Sequence, residues 1–269
     1  MLGIVKIGGA PGNDVGPLAS ELAARTAAGE RWVLVHGASG AMDKLCEERG
    51  VQIRKIMSPS GYSSRFVGEE ERKLFCEAAE SYGQQIVRLL ESFGARAIWL
   101  DPEKTGGVCA KRKDVLRECV NGRTRIVRGN YSGTVTKVLA EKITTQLDAG
   151  MVPVLPPLAA DEELGLALNV DGDRLAASTA AALGADALFI LSNVRGLLKK
   201  ADDPQTLIRN GRLGEWDTIE YYAQGNMKRK LVACKEALAA GVQKVYMADG
   251  RTAAPIENAL KGESTCLVR

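Results

Sequence analysis

Short, continuous apolar runs, each closing on a glycine or polar turn, alternate with helical stretches at both ends of this chain. Leu2-Gly3-Ile4-Val5-Lys6-Ile7 runs into Gly8-Gly9, and Trp32-Val33-Leu34-Val35-His36 into Gly37. Ala187-Leu188-Phe189-Ile190-Leu191 runs into Ser192-Asn193, and Lys244-Val245-Tyr246-Met247-Ala248 into Asp249-Gly250. Unbroken runs of this length are strands buried on both faces, and such strands belong to a parallel sheet covered by helices on each side. Apolar spacing predicts helices over 17–28, 42–49, 71–93, 134–149, 173–183 and 227–240, with further strands over 95–100 and 152–155. The expected fold is α/β: a three-layer αβα sandwich with a mainly parallel central sheet.

Between residues 111 and 128 the pattern changes. Asn121-Gly122, the dipeptide favoured in two-residue type I′ turns, separates runs at 115–120 and 123–127. A β-hairpin projecting from the sheet is expected there, and residues 161–168 read as an acidic loop or a second hairpin. No internal repeat, low-complexity tract or flexible linker interrupts the chain, so residues 1–269 are expected to form one unit.

Lys and Arg number 36 against 33 Asp and Glu, which excludes a histone-like polycation, and no nucleic-acid partner is expected. The single histidine, His36, excludes a zinc site built on several histidines. Six scattered cysteines without a C-x-x-C pair read as reduced thiols. No apolar run reaches the ~20 residues that span a membrane, and Lys6 breaks the first one, so neither anchor nor signal peptide is expected. The expected location is the cytoplasm.

Ligands of open α/β sheets sit beyond the carboxyl ends of the strands. Four such ends carry chemistry here. Lys6-Ile7-Gly8-Gly9 sets a positive charge beside an amide-rich turn, and His36-Gly37-Ala38-Ser39-Gly40 offers a second such turn. Asn169-Val170-Asp171-Gly172-Asp173 opens a helix with two carboxylates. Ser192-Asn193-Val194-Arg195-Gly196 ends a strand in a polar turn. Each has an ordinary reading too: a plain turn, a helix cap for Asp171 or Asp173, a solvated helix start for Met227-Lys228-Arg229-Lys230. A G-x-x-x-x-G-K-S/T P-loop is absent, Gly8-Gly9-Ala10-Pro11-Gly12 does not satisfy G-x-G-x-x-G, and protein-kinase signatures are missing.

Taken in order, Lys6-Ile7-Gly8-Gly9, Val35-His36-Gly37, Ser64-Arg65-Phe66, 169–173, 191–196 and 227–230 resemble the amino acid kinase family along essentially the whole chain. Arg128-Gly129-Asn130-Tyr131-Ser132-Gly133-Thr134, with 169–173 and 225–230, looks like the kinases that act on an acidic amino acid held on a LysW-type carrier protein. That resemblance implies the amino acid kinase fold, residues 1–170 forming mainly the acceptor lobe and 171–269 mainly the ATP lobe. It also implies ATP-dependent phosphorylation of a side-chain carboxylate of carrier-linked 2-aminoadipate or glutamate, in lysine- or arginine-type biosynthesis. Alternatives are an N-acetylglutamate kinase on the free small molecule, a carrier-dependent kinase of specialised metabolism, or a catalytically silent amino acid sensor.

By the same resemblance, Lys6 stabilises the transferring phosphoryl group, Lys230 the ATP phosphates, and Asp173 holds both lysines. Gly8, Gly9 and Gly37 supply amides, Arg65 and Asn169 bind the amino acid portion, and Ser192 and Asn193 border the nucleotide. Mg²⁺ rides on the ATP phosphates, with few protein ligands. Ala38 stands on the substrate side where relatives commonly have a second glycine, and alanine would be strained there if φ were positive. Phe66-Val67-Gly68 and Asp101-Pro102-Glu103-Lys104-Thr105-Gly106-Gly107 depart from the related segments. The chain starts directly on its first strand, without the extra helix that builds arginine-inhibited hexamers, which implies a homodimer. On these roles, Asp173→Asn should stop turnover and spare the fold.

Overall fold

The computed structural model describes residues 1–269 except Pro11, Asn13, Ser60, Tyr62 and Gly106, and of Thr105 the backbone alone. Pro11 in the first glycine turn and Gly106 in the divergent 101–107 loop lie outside the described residues. In chain order the first half runs β1 (Leu2–Ile7), α1 (Gly16–Ala27), β2 (Arg31–His36), α2 (Ser39–Glu48), β3 (Lys55–Met57), β4 (Ser63–Arg65), α3 (Glu69–Ser92) and β5 (Ala97–Trp99). Then follow α4 (Pro102–Thr105), β6 (Val108–Arg112), β7 (Leu116–Val120), β8 (Arg123–Val127), β9 (Gly133–Val138), α5 (Ala140–Asp148), β10 (Val152–Leu155), β11 (Leu158–Asp161) and β12 (Ala167–Asn169). The last third holds α6 (Gly172–Ala182), β13 (Ala187–Ser192), β14 (Asn210–Arg212), α7 (Trp216–Tyr221), α8 (Asn226–Ala239), β15 (Lys244–Asp249), α9 (Pro255–Leu260) and β16 (Thr265–Val268).

Eight strands form the central sheet in the order β14-β16-β15-β13-β1-β2-β10-β5, parallel throughout except where β15 meets β16. Side chains alternate across it with period two. Ile4, Val33, Val35, Leu188 and Ile190 join one core with Leu175, Ala176, Leu231 and Leu238 of α6 and α8. Val5, Ile7, Leu34, Phe189 and Leu191 join another with Leu18, Leu22, Ile86, Leu90 and Ile256 of α1, α3 and α9. This is the expected three-layer sandwich. A four-stranded sheet, β12-β11-β6-β9, stands apart from the central one, and β3–β4 and β7–β8 are separate two-stranded hairpins.

The Asn121-Gly122 turn has positive φ at both residues, +50° and +75°, as a type I′ turn requires. Residues 161–168 resolve as the second hairpin, β11 pairing antiparallel with β12. One helix needs correction. Residues 134–138 belong to β9, and α5 starts only at Ala140. Thr134, Val135, Thr136 and Val138 are β-branched, stiff at χ1, and suited to a pleated surface. Thr134, Val135 and Val138 pair with β6, a strand that the apolar pattern does not mark, and Thr136 falls at an irregularity in the register.

Candidate active site

Strand alternation sets Lys6 on the same face as Ile4, turned toward α6 and α8, with β13 and β2 on either side. Only 7% of the residue is exposed, so its ammonium needs a buried partner. That partner is Asp173. Its Oδ1 lies 2.7 Å from Lys6 Nζ and its Oδ2 3.0 Å from Lys230 Nζ, at the start of α8. Burial alone would push the Asp173 carboxyl up; the charges and hydrogen bonds of the two lysines outweigh it and hold the group well below the usual carboxylate range. Burial pulls the Lys6 ammonium below its ordinary value despite Asp173. Capping falls to the other acid: Asp171 Oδ1 accepts from the N–H groups of Asp173 (2.9 Å) and Arg174 (3.1 Å).

The bridge forms part of the floor of a cleft of about 680 Å³, which Gly8, Gly9 and Arg65 also line. Gly9 and Gly37 bring the ends of β1 and β2 together. A Cβ on Gly9 would fall 2.3 Å from the Gly37 carbonyl carbon, and one on Gly37 would fall 2.4 Å from Gly9 N. Gly37 corrects its assignment as a donor. Its N–H donates to the Ile7 carbonyl at 3.0 Å, so its part is the close approach. Gly8 N–H reaches the Leu191 carbonyl at 3.3 Å.

Ser192, Asn193, Asn226 and Lys230 line both this cleft and an adjoining pocket of about 240 Å³. The pocket's remaining wall is largely apolar, with Val194, Leu197, Leu198, Tyr222 and Met227. Opposite, Arg65 on β4 donates from Nη2 to Asp43 on α2, while its Nη1 is buried with no partner among the described residues.

Residues 1–249 match the amino acid kinase family. The chain belongs to that family. Among the curated relatives of this amino acid kinase, the LysW-aminoadipate kinase of Deinococcus radiodurans is 40% identical over 97% of the chain and 90% of the relative. That of Thermus thermophilus is 37% identical over 97% and 98%. Among solved structures, the N-acetylglutamate synthase of Neisseria gonorrhoeae superposes with a TM-score of 0.80 at 22% identity, over all of this chain but 59% of that one. Carbamate kinase from Giardia lamblia gives 0.67 at 17% over 100% and 98%. At such identities these two establish the fold alone.

Two residues assigned to the substrate lie outside the cleft lining of this kinase. Asn169 closes β12, where its backbone pairs with Leu158 and bridges to Ser132. Ala38 is buried at the N-terminus of α2 with φ −129°, an ordinary value for alanine, so the anticipated strain is absent. His36 is buried, its Nδ1 3.3 Å from the Gly37 carbonyl, and burial pulls its pKa down to about 4, so the ring is neutral at physiological pH. Asp43 and Lys55 also line the cleft, though nothing in the sequence singles them out, as do Asn226 and Arg229 from the stretch 225–230, to which the resemblance assigned no role beyond Lys230. Arg229 has a signal in the sequence, since it lies in the basic run; Asp43 has none beyond its place in the helix after a glycine turn.

Among the described residues, no helix is long and apolar enough to cross a membrane.

Proposed function

We propose that this kinase transfers the γ-phosphoryl group of ATP to the side-chain carboxylate of an acidic amino acid, 2-aminoadipate or glutamate, amide-linked to a LysW-type carrier protein. The Asp173 bridge between Lys6 and Lys230 carries the chemical half of this reading. A carboxylate is already a nucleophile, so the reaction needs charge neutralisation and in-line positioning rather than a base. One acceptor oxygen forms the new P–O bond while the bond to the β-phosphate oxygen breaks, giving an acyl phosphate and ADP. Lys6 meets charge on the transferring group and Lys230 on the leaving side, and Asp173 keeps the two ammoniums close without mutual repulsion. Gly8 and Gly9 line the phosphoryl path. The apolar pocket beside Ser192 and Asn193 suits an adenine ring, which supports a nucleotide held mainly by residues 171–269 and an acceptor held mainly by 1–170.

Arg65 is the group for the substrate's free carboxylate, because its buried, unpartnered Nη1 is a donor that lacks an acceptor. Asn169 assists only through a shift of β12. Mg²⁺, where used, would be held chiefly by the nucleotide phosphates and would offset their charge. The nearby acids suit that role poorly, since Asp173 is committed to two lysines and Asp171 to its cap. Cytoplasmic location, homodimeric assembly and a role in lysine- or arginine-type biosynthesis belong to the same reading and rest on the family resemblance.

The carrier half is supported by the names of the relatives and by the β7–β8 hairpin. From 111 to 128 there are seven basic residues and two acidic ones. One of the acids, Glu118, is buried and holds Arg125 (2.8 Å) and Arg54 (3.2 Å). Arg125 is therefore structural, and reversing it would set two carboxylates against each other. Arg117, Arg123 and Arg128 are exposed and open to an acidic partner. Reversing these three to Glu should raise the KM for carrier-linked substrate by about tenfold or more at low salt, and leave the KM for ATP unchanged. Added salt should weaken carrier binding by the wild type and narrow the gap between the two. Normal carrier binding by the variant at low salt would remove the hairpin from the docking surface.

A further inference from the structure

The basic run that opens α8 is only partly used by this chemistry. Lys230 meets Asp173, but Arg229 reaches the other way, and its Nη2 donates to the Ser63 carbonyl on β4 at 2.5 Å, across 166 positions of sequence. Ser63 stands two residues before Arg65, and both line the cleft with Arg229. Among the described residues the β3–β4 hairpin has three pairs of facing residues and no third strand. A two-stranded hairpin of that size is marginal alone, so its position depends on side chains from elsewhere. On one flank Arg54, just before β3, lies over the Phe66 ring at 4.8 Å and pairs with Glu118. On the other flank is Arg229.

We propose that Arg229 is a positioning residue that straps the acceptor hairpin to the helix carrying Lys230. Arg229 and Lys230 are consecutive, so whatever draws the start of α8 toward the cleft also draws β4 and, two residues on, Arg65. Nucleotide phosphates on Lys230 therefore tighten the acceptor site, and by reciprocity a bound acceptor tightens the nucleotide site. The link to the acceptor rests on the functional reading above; the strap itself does not.

The test compares wild type, Arg229→Ala and Arg229→Lys by amide hydrogen exchange at Lys55–Met57 and Ser63–Arg65, with and without ADP, and by steady-state kinetics. Arg229→Ala should speed exchange in both segments by about tenfold to a hundredfold, the worth of one charge-assisted hydrogen bond, and ADP should no longer slow it. Arg229→Lys, which keeps a donor but loses the fork, should fall between, and it covers the case in which the alanine variant does not fold. Strands β1 and β13 should exchange as in wild type. The KM for the acceptor should rise while the KM for ATP holds. Unchanged exchange in the hairpin would overturn the strap, as would a rise in the ATP KM alone, which marks a phosphate ligand. Faster exchange with no change in the KM of any acceptor would uphold the strap and remove the hairpin from the acceptor site.

Discussion

Asp173→Asn should lower kcat by about 10²–10³-fold, the usual cost of losing one preorganised electrostatic contact at a reacting centre. It should also destabilise the protein by about 3 kcal/mol, because two ammoniums then face each other in a buried site without their counter-charge. The second effect departs from the expectation from sequence, on which a purely catalytic role for Asp173 left the fold intact. Asp171 is the cap, and Asp173 is the bridge. The pH dependence has a definite sign. Asp173 is held below the usual carboxylate range, so its stabilising contribution is full above the unfolded value of about 4 and is lost as pH falls through the folded one. The stability gap between wild type and variant should thus be widest near neutrality and shrink under acid. Urea melts at several pH values, set beside ATP turnover, check both halves. A variant as stable and as active as wild type would leave the bridge without a role.

Gly9→Ala should be as damaging by a different route. Its new methyl group would lie 2.3 Å from the Gly37 carbonyl carbon and 2.5 Å from Ala38 N. Those are backbone atoms and cannot swing aside, so the ends of β1 and β2 must separate. The Gly40 N–H to Gly9 carbonyl hydrogen bond (2.6 Å) then breaks, and the turn that lines the cleft moves away from Lys6. A stability loss of about 3 kcal/mol is expected, within the range for severe overpacking, with a fall in kcat of about a hundredfold or more for displacement of about 1 Å. Gly214→Ala, whose methyl meets nothing within 4 Å, is the matched control and should stay within about 0.5 kcal/mol of wild type. Thermal melts and ATP turnover read both, and equal melts for the two variants would mean that the strand ends are not so close.

The parts of the fold that the sequence announces are those whose signal is local. β1, β2, β13 and β15 fall within a residue of their apolar runs, because a strand buried on both faces must be apolar throughout. The β7–β8 turn was legible in Asn121-Gly122, since few other dipeptides tolerate positive φ twice. The β3–β4 hairpin was not. Lys55-Ile56-Met57 and Ser63-Ser64-Arg65 have little apolar pattern, and their placement comes from Arg54, Phe66, Glu118 and Arg229. Residues 134–138 read as helix in the sequence because their spacing fits either period, and pairing with β6 decides it.

The site divides in the same way. Lys6, Asp173 and Lys230 are far apart in sequence; the strand-end rule sets them toward one edge, and the family resemblance alone gives them joint roles, since no periodicity brings a strand residue to two helix starts. Within 169–173, residue types alone could not separate the capping acid from the bridging one, because that depends on which side chain turns back on its own helix. Asp43 was illegible for a plainer reason. One acid on an amphipathic helix looks solvated until a neighbouring strand brings an arginine to it.

ATP turnover by one enzyme preparation with three acceptors bears most directly on the central claim: carrier-linked 2-aminoadipate, carrier-linked glutamate and free N-acetylglutamate. A carrier-linked acceptor should exceed N-acetylglutamate in kcat/KM by at least about a hundredfold, while the two carrier-linked side chains, one methylene apart, should differ by about 10–200-fold. Acyl phosphate formed as efficiently on free N-acetylglutamate, or on neither carrier-linked acceptor, would contradict it.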